Sequence, residues 1–284
     1  MNAWKIGIIG VGIVGSQLKR WFEENGYIRD SNLFLYDIDD QKGYFDDIDK
    51  ADIIFIAVPT PCSKSGRCDL SAVYNAFRII DSNLRKIVVI KSTVPPGTTQ
   101  YFQDIRLQWK LLFNPEFLTE KQALEDFIRP DRQIVGFTNK SIDAAYLVLS
   151  LLPKAPFMSP WGIETYKSVR ITATEAEIIK YGGNVYFTRK VNFANMLNLL
   201  CGKMGADVDY ENVRMGIAAD FRIGDSHLDV NHGGYRGFSG RCLPKDLDAL
   251  IAFLKDSGEI ESAQLLEADK DFNIKLLASQ GLTP

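Results

Sequence analysis

Near its start the chain runs from a short apolar segment, Lys5-Ile-Gly-Ile-Ile9, straight into Gly10-Val-Gly12-Ile-Val-Gly15 and then into a patterned stretch, Ser16 to Asn25, that stops at Gly26. This order limits the possible folds more than any other feature, because strand, tight glycine turn and helix make the first βα unit of a parallel sheet. The glycines let the backbone turn sharply and let a pyrophosphate approach the N–H groups of the helix start, where the helix dipole favours negative charge. Asp37 ends the next apolar run 22 residues after Gly15, in position to accept both hydroxyls of a ribose. Ile38, Asp39 and Asp40 follow with no arginine to hold a 2′-phosphate, so the segment reads as a dinucleotide site that takes NAD rather than NADP. The alternative is a glycine-rich strand–helix turn that binds nothing.

The alternation continues. Leu33–Tyr36, Asp52–Val58, Lys86–Ile90, Lys110–Phe113 and Gln133–Phe137 join the first run as near-continuous apolar strands, as expected of a sheet buried on both faces. Past Pro160 the pattern turns helical. Thr172 stands three residues before Glu175, a capping-box spacing, and a helix is expected from there to about Cys201, with Ile178, Ile179, Val185, Val191, Met196, Leu197 and Leu200 on a broad apolar face. Further helices are expected over Tyr210–Ala219, Lys245–Lys255 and Glu261–Ala278. At about 150 residues per domain, 284 residues make two domains. The expected fold is α/β: a Rossmann-like doubly wound parallel sheet over residues 1–165, followed by an all-helical domain over 166–284, with the boundary between Ser159 and Thr172.

Composition removes several function classes. A chain that is 46% hydrophobic and 24% charged has enough apolar surface for a core, which excludes global disorder. A net charge of −3 without an arginine or lysine run argues against a nucleic-acid partner. No apolar stretch reaches the 18 or so residues of a membrane helix, so a cytoplasmic protein without a membrane partner is expected. Cys62, Cys68, Cys201 and Cys242 form no Cys-x-x-Cys pair and the only histidines are His227 and His232, so no metal site is expected. Lys180 and Asn184, four apart on one helix face, could stabilise an oxyanion; such a pair is otherwise an ordinary solvated face. Gly182 and Gly183 between them suggest close approach of a neighbouring helix or a ligand.

Four segments then fall in one order: Ala57-Val-Pro-Thr60-Pro61, Lys91-Ser-Thr93-Val-Pro-Pro-Gly97-Thr98, Asn114-Pro-Glu116-Phe-Leu-Thr-Glu120 and Phe238-Ser-Gly-Arg-Cys242-Leu-Pro-Lys-Asp246. With Asp126-Phe-Ile-Arg-Pro-Asp131-Arg132 and Thr174-Glu-Ala-Glu-Ile-Ile-Lys180-Tyr-Gly-Gly-Asn184, they closely resemble the UDP-glucose/GDP-mannose dehydrogenase family over nearly the whole chain. The resemblance implies oxidation of a nucleotide sugar's primary alcohol to a carboxylate with two NAD, most often UDP-glucose to UDP-glucuronate. It assigns Cys242 as nucleophile, Glu116 as acid/base, Thr93 and Asp246 as holders of the hydrolytic water, and Lys180 and Asn184 as the oxyanion pair. NAD contacts would come from Gly10, Gly12, Ile13, Val14, Gly15, Asp37, Val58, Pro59, Thr60, Thr93 and Glu120. Substrate contacts would come from Glu116, Phe117, Leu118, Lys180, Asn184, Arg222, Arg236 and Gly240, with Arg222 reaching across a dimer and Arg236 near the diphosphate. A homodimer built on the Thr174–Cys201 helix is expected, because its apolar positions exceed what a small helical domain can cover. Arg241 and Lys245 are close enough in sequence to favour a thiolate at Cys242; the alternative for that residue is an inert buried thiol.

The sequence also departs from the family pattern. Ser239 replaces a glycine of the cysteine loop, the crossover between Asp37 and Asp52 is short, and the family's second Rossmann-like domain, which covers the substrate's nucleotide, does not follow before Pro284. The alternatives are a piece of a longer enzyme, a naturally short enzyme, or one half of a split enzyme whose partner is a separate nucleotide-binding domain or chain; the chain alone is expected to bind NAD normally and nucleotide sugar weakly. Two other readings are a two-electron β-hydroxyacid dehydrogenase, which shares the Lys-x-x-x-Asn helix but has no use for Cys242 or Glu116, and a non-catalytic subunit.

Overall fold

The computed structural model describes residues 4–119, 122–160 and 170–283. They form two compact units, residues 4–61 with 68–180 and residues 62–67 with 181–283.

The first unit is built on a sheet. β1 (Ile6–Ile9), β2 (Leu33–Tyr36), β3 (Ile53–Ile56), β4 (Ile87–Ile90) and β5 (Lys110–Phe113) are parallel and lie in the order β2-β1-β3-β4-β5, with Ile6 opposite both Leu33 and Ile53. Alternate residues face opposite sides. Ile54, Ile56, Val88, Ile90, Leu111 and Phe113 pack with Phe77 of α2 (Ser71–Ile79) and Phe102 of α3 (Thr98–Ile105). Ile53, Phe55, Val89 and Leu112 pack with Leu18 and Phe22 of α1 (Ile13–Glu24) and with Val148 and Leu149 of α5 (Ile142–Leu151). Helices on both faces explain why the strands read as unbroken apolar runs, and the doubly wound α/β fold expected from them is present.

The sixth run differs from its expected single parallel strand. After α4 (Ala123–Ile128) it splits into β6 (Arg132–Ile134), which pairs with β8 (Phe157–Ser159) in a separate two-stranded sheet, and β7 (Gly136–Phe137), which joins β5 antiparallel. Two groups force the break. The fully buried Asn114 amide donates to Gln133 Oε1 at 2.9 Å and Ile134 O at 2.6 Å, and a Cβ on Gly136 would lie 2.7 Å from Thr172 O. Backbone therefore crosses where a sixth parallel strand would have continued.

From Ala173 onward every regular element of the described residues is helical: α6 (Ala173–Met204), α7 (Tyr210–Ala218), α8 (Leu243–Asp256) and α9 (Ile260–Ala278). The capping box forms, with Thr172 N donating to Glu175 Oε2 at 2.7 Å and Glu175 N to Thr172 Oγ1 at 3.3 Å. In the second unit Val185, Phe238, Leu247, Ile251, Ala263 and Leu266 make the main core. The segment 62–67 packs in this unit: Cys62 Sγ donates to Lys245 O at 3.1 Å, and Arg67 makes a two-pronged ion pair with Asp256 at 2.6 and 2.8 Å. Along α6, Val185 is buried, while Met196 and Leu200 from the expected apolar face stand exposed beside Tyr186, Phe193 and Leu199. No helix among the described residues is long and apolar enough to cross a membrane.

Candidate active site

In an open parallel sheet, ligands bind beyond the carboxyl ends of the strands where the strand order reverses. Here that edge carries Gly10–Gly12 after β1, Ala57–Thr60 after β3, Lys91–Thr93 after β4 and Asn114–Phe117 after β5. The glycines have distinct physical reasons. Gly10 has φ +90°, and a Cβ there would sit 2.6 Å from Ala57 O. A Cβ on Gly15 would stand 1.9 Å from Gly10 O, so only glycine allows α1 to start this close to the turn. At Gly12 a Cβ would meet nothing within 4 Å: it would project into the open space that a pyrophosphate needs, beside the helix N-terminus at Ile13 and Val14. The cradle fits a dinucleotide.

Asp37 is buried and organises this edge. Its Oδ2 accepts from Val11 N at 2.7 Å and from Lys42 Nζ at 2.8 Å, and its Oδ1 accepts from Asp39 N at 3.0 Å. Burial pushes its carboxyl up, but the Lys42 ammonium and the two N–H donors outweigh burial and hold it below the usual aspartate range. Lys42 escaped the sequence reading, which looked only for an arginine directly after Asp37. The available signal was a basic residue five positions on, just before Gly43, whose left-handed backbone (φ +65°) ends the turn. Val58 and Thr60 are tied to the β4 loop, since Ser92 Oγ donates to Val58 O and Thr60 Oγ1 to Thr93 O, both at 2.7 Å, while Pro59 is exposed. Glu120 lies outside the described residues.

The first unit also holds Glu116, Phe117, Leu118 and Lys180. Glu116 Oε2 pairs with Lys91 Nζ at 3.1 Å, and its Oε1 accepts from Phe117 N at 2.9 Å and Leu118 N at 3.3 Å. The Phe117 ring has the Arg132 guanidinium 3.9 Å from its centre and the Lys180 ammonium at 5.7 Å. Burial holds Arg132 below its usual range. Leu118 packs half-buried against the core. Among the described residues nothing lies within 4 Å of where a Gly182 Cβ would stand.

The second unit holds Asn184, Cys242 and Asp246. Cys242 is exposed at the N-cap of α8, and one turn on Asp246 is buried, accepting from Asn184 Nδ2 on one oxygen and pairing with Lys245 on the other. Lys245, expected beside the thiol, pairs with Asp246, and the exposure of Cys242 removes the inert-burial reading. Ser239 needs no special backbone, because the positive φ angles of the loop fall on Gly237 and Gly240 around it. The loop is clamped by two carboxamides that the sequence reading missed. Asn273 exchanges two bonds with the Phe238 backbone, and Gln280 does the same for Arg236, at 2.8 and 2.9 Å in each case. Polar residues on and just past an amphipathic helix read as a solvated face, which hid them. Arg222 is exposed and bonded to Asp220.

Comparison with known proteins gives the arrangement a family. The NAD-binding-domain model of the UDP-glucose/GDP-mannose dehydrogenase family matches residues 40–149, and the central-domain model of that family matches residues 174–275. The UDP-glucose 6-dehydrogenase of Rickettsia bellii is 36% identical over 221 residues, which covers 75% of this chain and 48% of that protein. The chain spans about half the length of the curated relatives it matches. Among solved structures, a UDP-glucose dehydrogenase from the hyperthermophilic archaeon Pyrobaculum islandicum superposes with a TM-score of 0.79 at 28% identity, covering 98% of this chain and 71% of that one. The 3-hydroxyisobutyrate dehydrogenase of Mycobacterium tuberculosis shares the fold at a TM-score of 0.71 and 15% identity, covering 97% and 94%. Two domains of one family are matched in order, and relatives in sequence and in structure agree with them: the chain belongs to the UDP-glucose/GDP-mannose dehydrogenase family.

Proposed function

We propose that this chain oxidises the primary alcohol of a nucleotide sugar to a carboxylate, with UDP-glucose as substrate and UDP-glucuronate as product. The observation that carries the reading is the start of α8, where an exposed thiol, Cys242, precedes by one turn a buried carboxylate, Asp246, bonded to Asn184. A two-electron alcohol oxidation has no use for that thiol, whereas a four-electron one must retain its aldehyde.

The balance is one alcohol, two NAD and one water giving one carboxylate, two NADH and three protons. NAD, held by the Gly10–Gly15 cradle and Asp37, supplies the hydride acceptor for both oxidations. Lys180 and Asn184 stabilise the oxygen of the reacting carbon as it gains negative charge. The Cys242 sulfur adds to the aldehyde carbon, so the thiohemiacetal stays on the protein and its carbon can give up the second hydride. In the resulting thioester, water held by Thr93 and Asp246 adds to the carbonyl carbon, Glu116 takes its proton, and the C–S bond breaks with the electron pair remaining on Cys242. Phe117, Leu118, Arg236 and Gly240 line the sugar nucleotide.

The chain works as a homodimer. Tyr186, Phe193, Met196, Ile223, Leu265 and Phe272 line an open, largely apolar cleft of about 580 Å³ in the second unit, with Arg189 and Asp269 paired in its wall. A second copy covering this surface would remove its exposed rings from water, and Arg222 then serves the partner's substrate. The test is stoichiometric: two NADH per sugar consumed, with a uronate product by mass. A reaction that stops at one NADH, or unchanged turnover in Cys242→Ser, overturns the reading.

A further inference from the structure

The Lys91 side chain, which follows β4, is 2% exposed, and its ammonium meets Asn114 Oδ1 at 2.7 Å and Glu116 Oε2 at 3.1 Å, with the centre of the Phe127 ring 5.8 Å away. An ammonium stripped of water to this degree is tolerated only with charge and hydrogen-bond partners in good geometry. Asn114 cannot turn its amide, because its nitrogen is held by Gln133 Oε1 and Ile134 O, so its oxygen must face the lysine. The lysine is thereby fixed from behind with its charge directed at Glu116. On the far oxygen of that carboxylate, two backbone N–H groups complete the grip.

We propose that Lys91 is a positioning residue for Glu116: its buried ammonium holds the carboxylate aimed, ready to take a proton from the water that opens the thioester. The inference rests on the reading of Glu116 as that proton acceptor. In the step, the water oxygen bonds to the thioester carbon, one water proton moves to Glu116, the C–S bond breaks, and the sulfur leaves with the electron pair. Glu116 then passes its proton to that sulfur or to solvent. Without the ammonium, the Oε2 side of the carboxylate loses the partner that fixes its direction. Both hydride transfers precede this step and make no use of Glu116. Loss of Lys91 therefore stalls the enzyme late, with the acyl group still on Cys242.

The experiment compares the full-length wild type, Lys91→Met, Lys91→Gln and Glu116→Gln, each mixed with NAD and UDP-glucose. It follows NADH and the intact protein mass. Lys91→Met is expected to release a burst of about two NADH per chain, to turn over at least about tenfold more slowly, and to carry the uronosyl acyl group on Cys242, as Glu116→Gln does. Lys91→Gln retains a donor without the charge, and it supplies the same readout should Lys91→Met fail to fold. NAD titration identifies the folded variants. The proposal is overturned if the Lys91 variants turn over within about threefold of wild type, or if they slow without the adduct while Glu116→Gln accumulates it. If wild type and Glu116→Gln both yield no NADH, the proposed reaction itself has failed, a result distinct from either of these.

Discussion

Asn273 holds Phe238 by both ends of its carboxamide, with Phe238 N donating to Oδ1 at 2.8 Å and Nδ2 donating to Phe238 O at 2.9 Å. This is the exchange that a neighbouring strand would make, supplied by one helical side chain. Removing it leaves a buried N–H and a buried carbonyl unpaired, each costing about 1–3 kcal/mol. Asn273→Leu, close in volume, is therefore expected to destabilise the protein by about 2–6 kcal/mol. Urea unfolding followed by circular dichroism measures it, and a loss below about 1 kcal/mol would show that water takes over both groups.

The glycine cradle predicts two different failures. Gly15→Ala places a methyl group 1.9 Å from Gly10 O, so the backbone must move, and both thermal stability and NAD affinity are expected to fall. Gly12→Ala meets no neighbour, so its melting temperature is expected to match wild type while NAD affinity drops at least about tenfold. Thermal melts and NAD calorimetry on the two variants separate a packing role from a ligand-facing one.

Cofactor choice turns on Asp37 and Lys42. With Lys42 paired to Asp37, a 2′-phosphate meets a carboxylate whose cation is already taken, so NAD is expected to bind well over NADP. Asp37→Ser releases the ammonium, and the preference is expected to shrink by at least about tenfold as NADP gains a partner. Paired titrations with both cofactors test this; an unchanged ratio would place the ribose elsewhere.

Glu177 makes stability depend on pH. Its carboxyl is fully buried and pushed up to about 7 by desolvation, even though Gly97 N, Thr99 N and Thr99 Oγ1 all donate to it. A folded value above the unfolded 4.5 means that its contribution is fully present below about pH 4.5 and is lost as pH rises through about 7, on the order of 3 kcal/mol. His227, held below 6.5 mainly by burial, acts in the opposite sense, its contribution being lost as pH falls. Comparing wild type with Glu177→Gln by urea unfolding at pH 5 and pH 8 isolates Glu177, and the wild type is expected to lose more stability over that interval.

Self-association is expected at micromolar concentration, and Phe193→Glu with Met196→Glu is expected to abolish it, because both side chains are about half exposed on α6 and line the apolar cleft. Sedimentation velocity decides the matter. A monomeric wild type would remove the dimer and the role of Arg222 across it.

Local signals were legible in the sequence. The βα rhythm, the glycine turn, Asp37 and the Thr172–Glu175 cap all depend on residues a few positions apart or on a repeating pattern, and the structure contains each of them. The splitting of the sixth strand was hidden because it depends on Asn114 and on Thr172 O, both distant in sequence. Lys91 was seen only as the first letter of a motif, since nothing in one sequence says that a lysine will be buried against Asn114 and Glu116. The short segment 62–67 sits within the βα rhythm, yet it packs on α8, and a pattern reading has no way to detect such an excursion.

The two carboxamides that hold the cysteine loop, Asn273 and Gln280, are uncharged. Ions that screen the exposed Arg67–Asp256 pair have no charge to act on in the bonds these carboxamides make to the Phe238 and Arg236 backbone, and protons that titrate Glu177 find no titrating group in them. The two clamps on the backbone leading to Cys242 therefore owe nothing to charge pairing, unlike the Lys245–Asp246 pair that follows it.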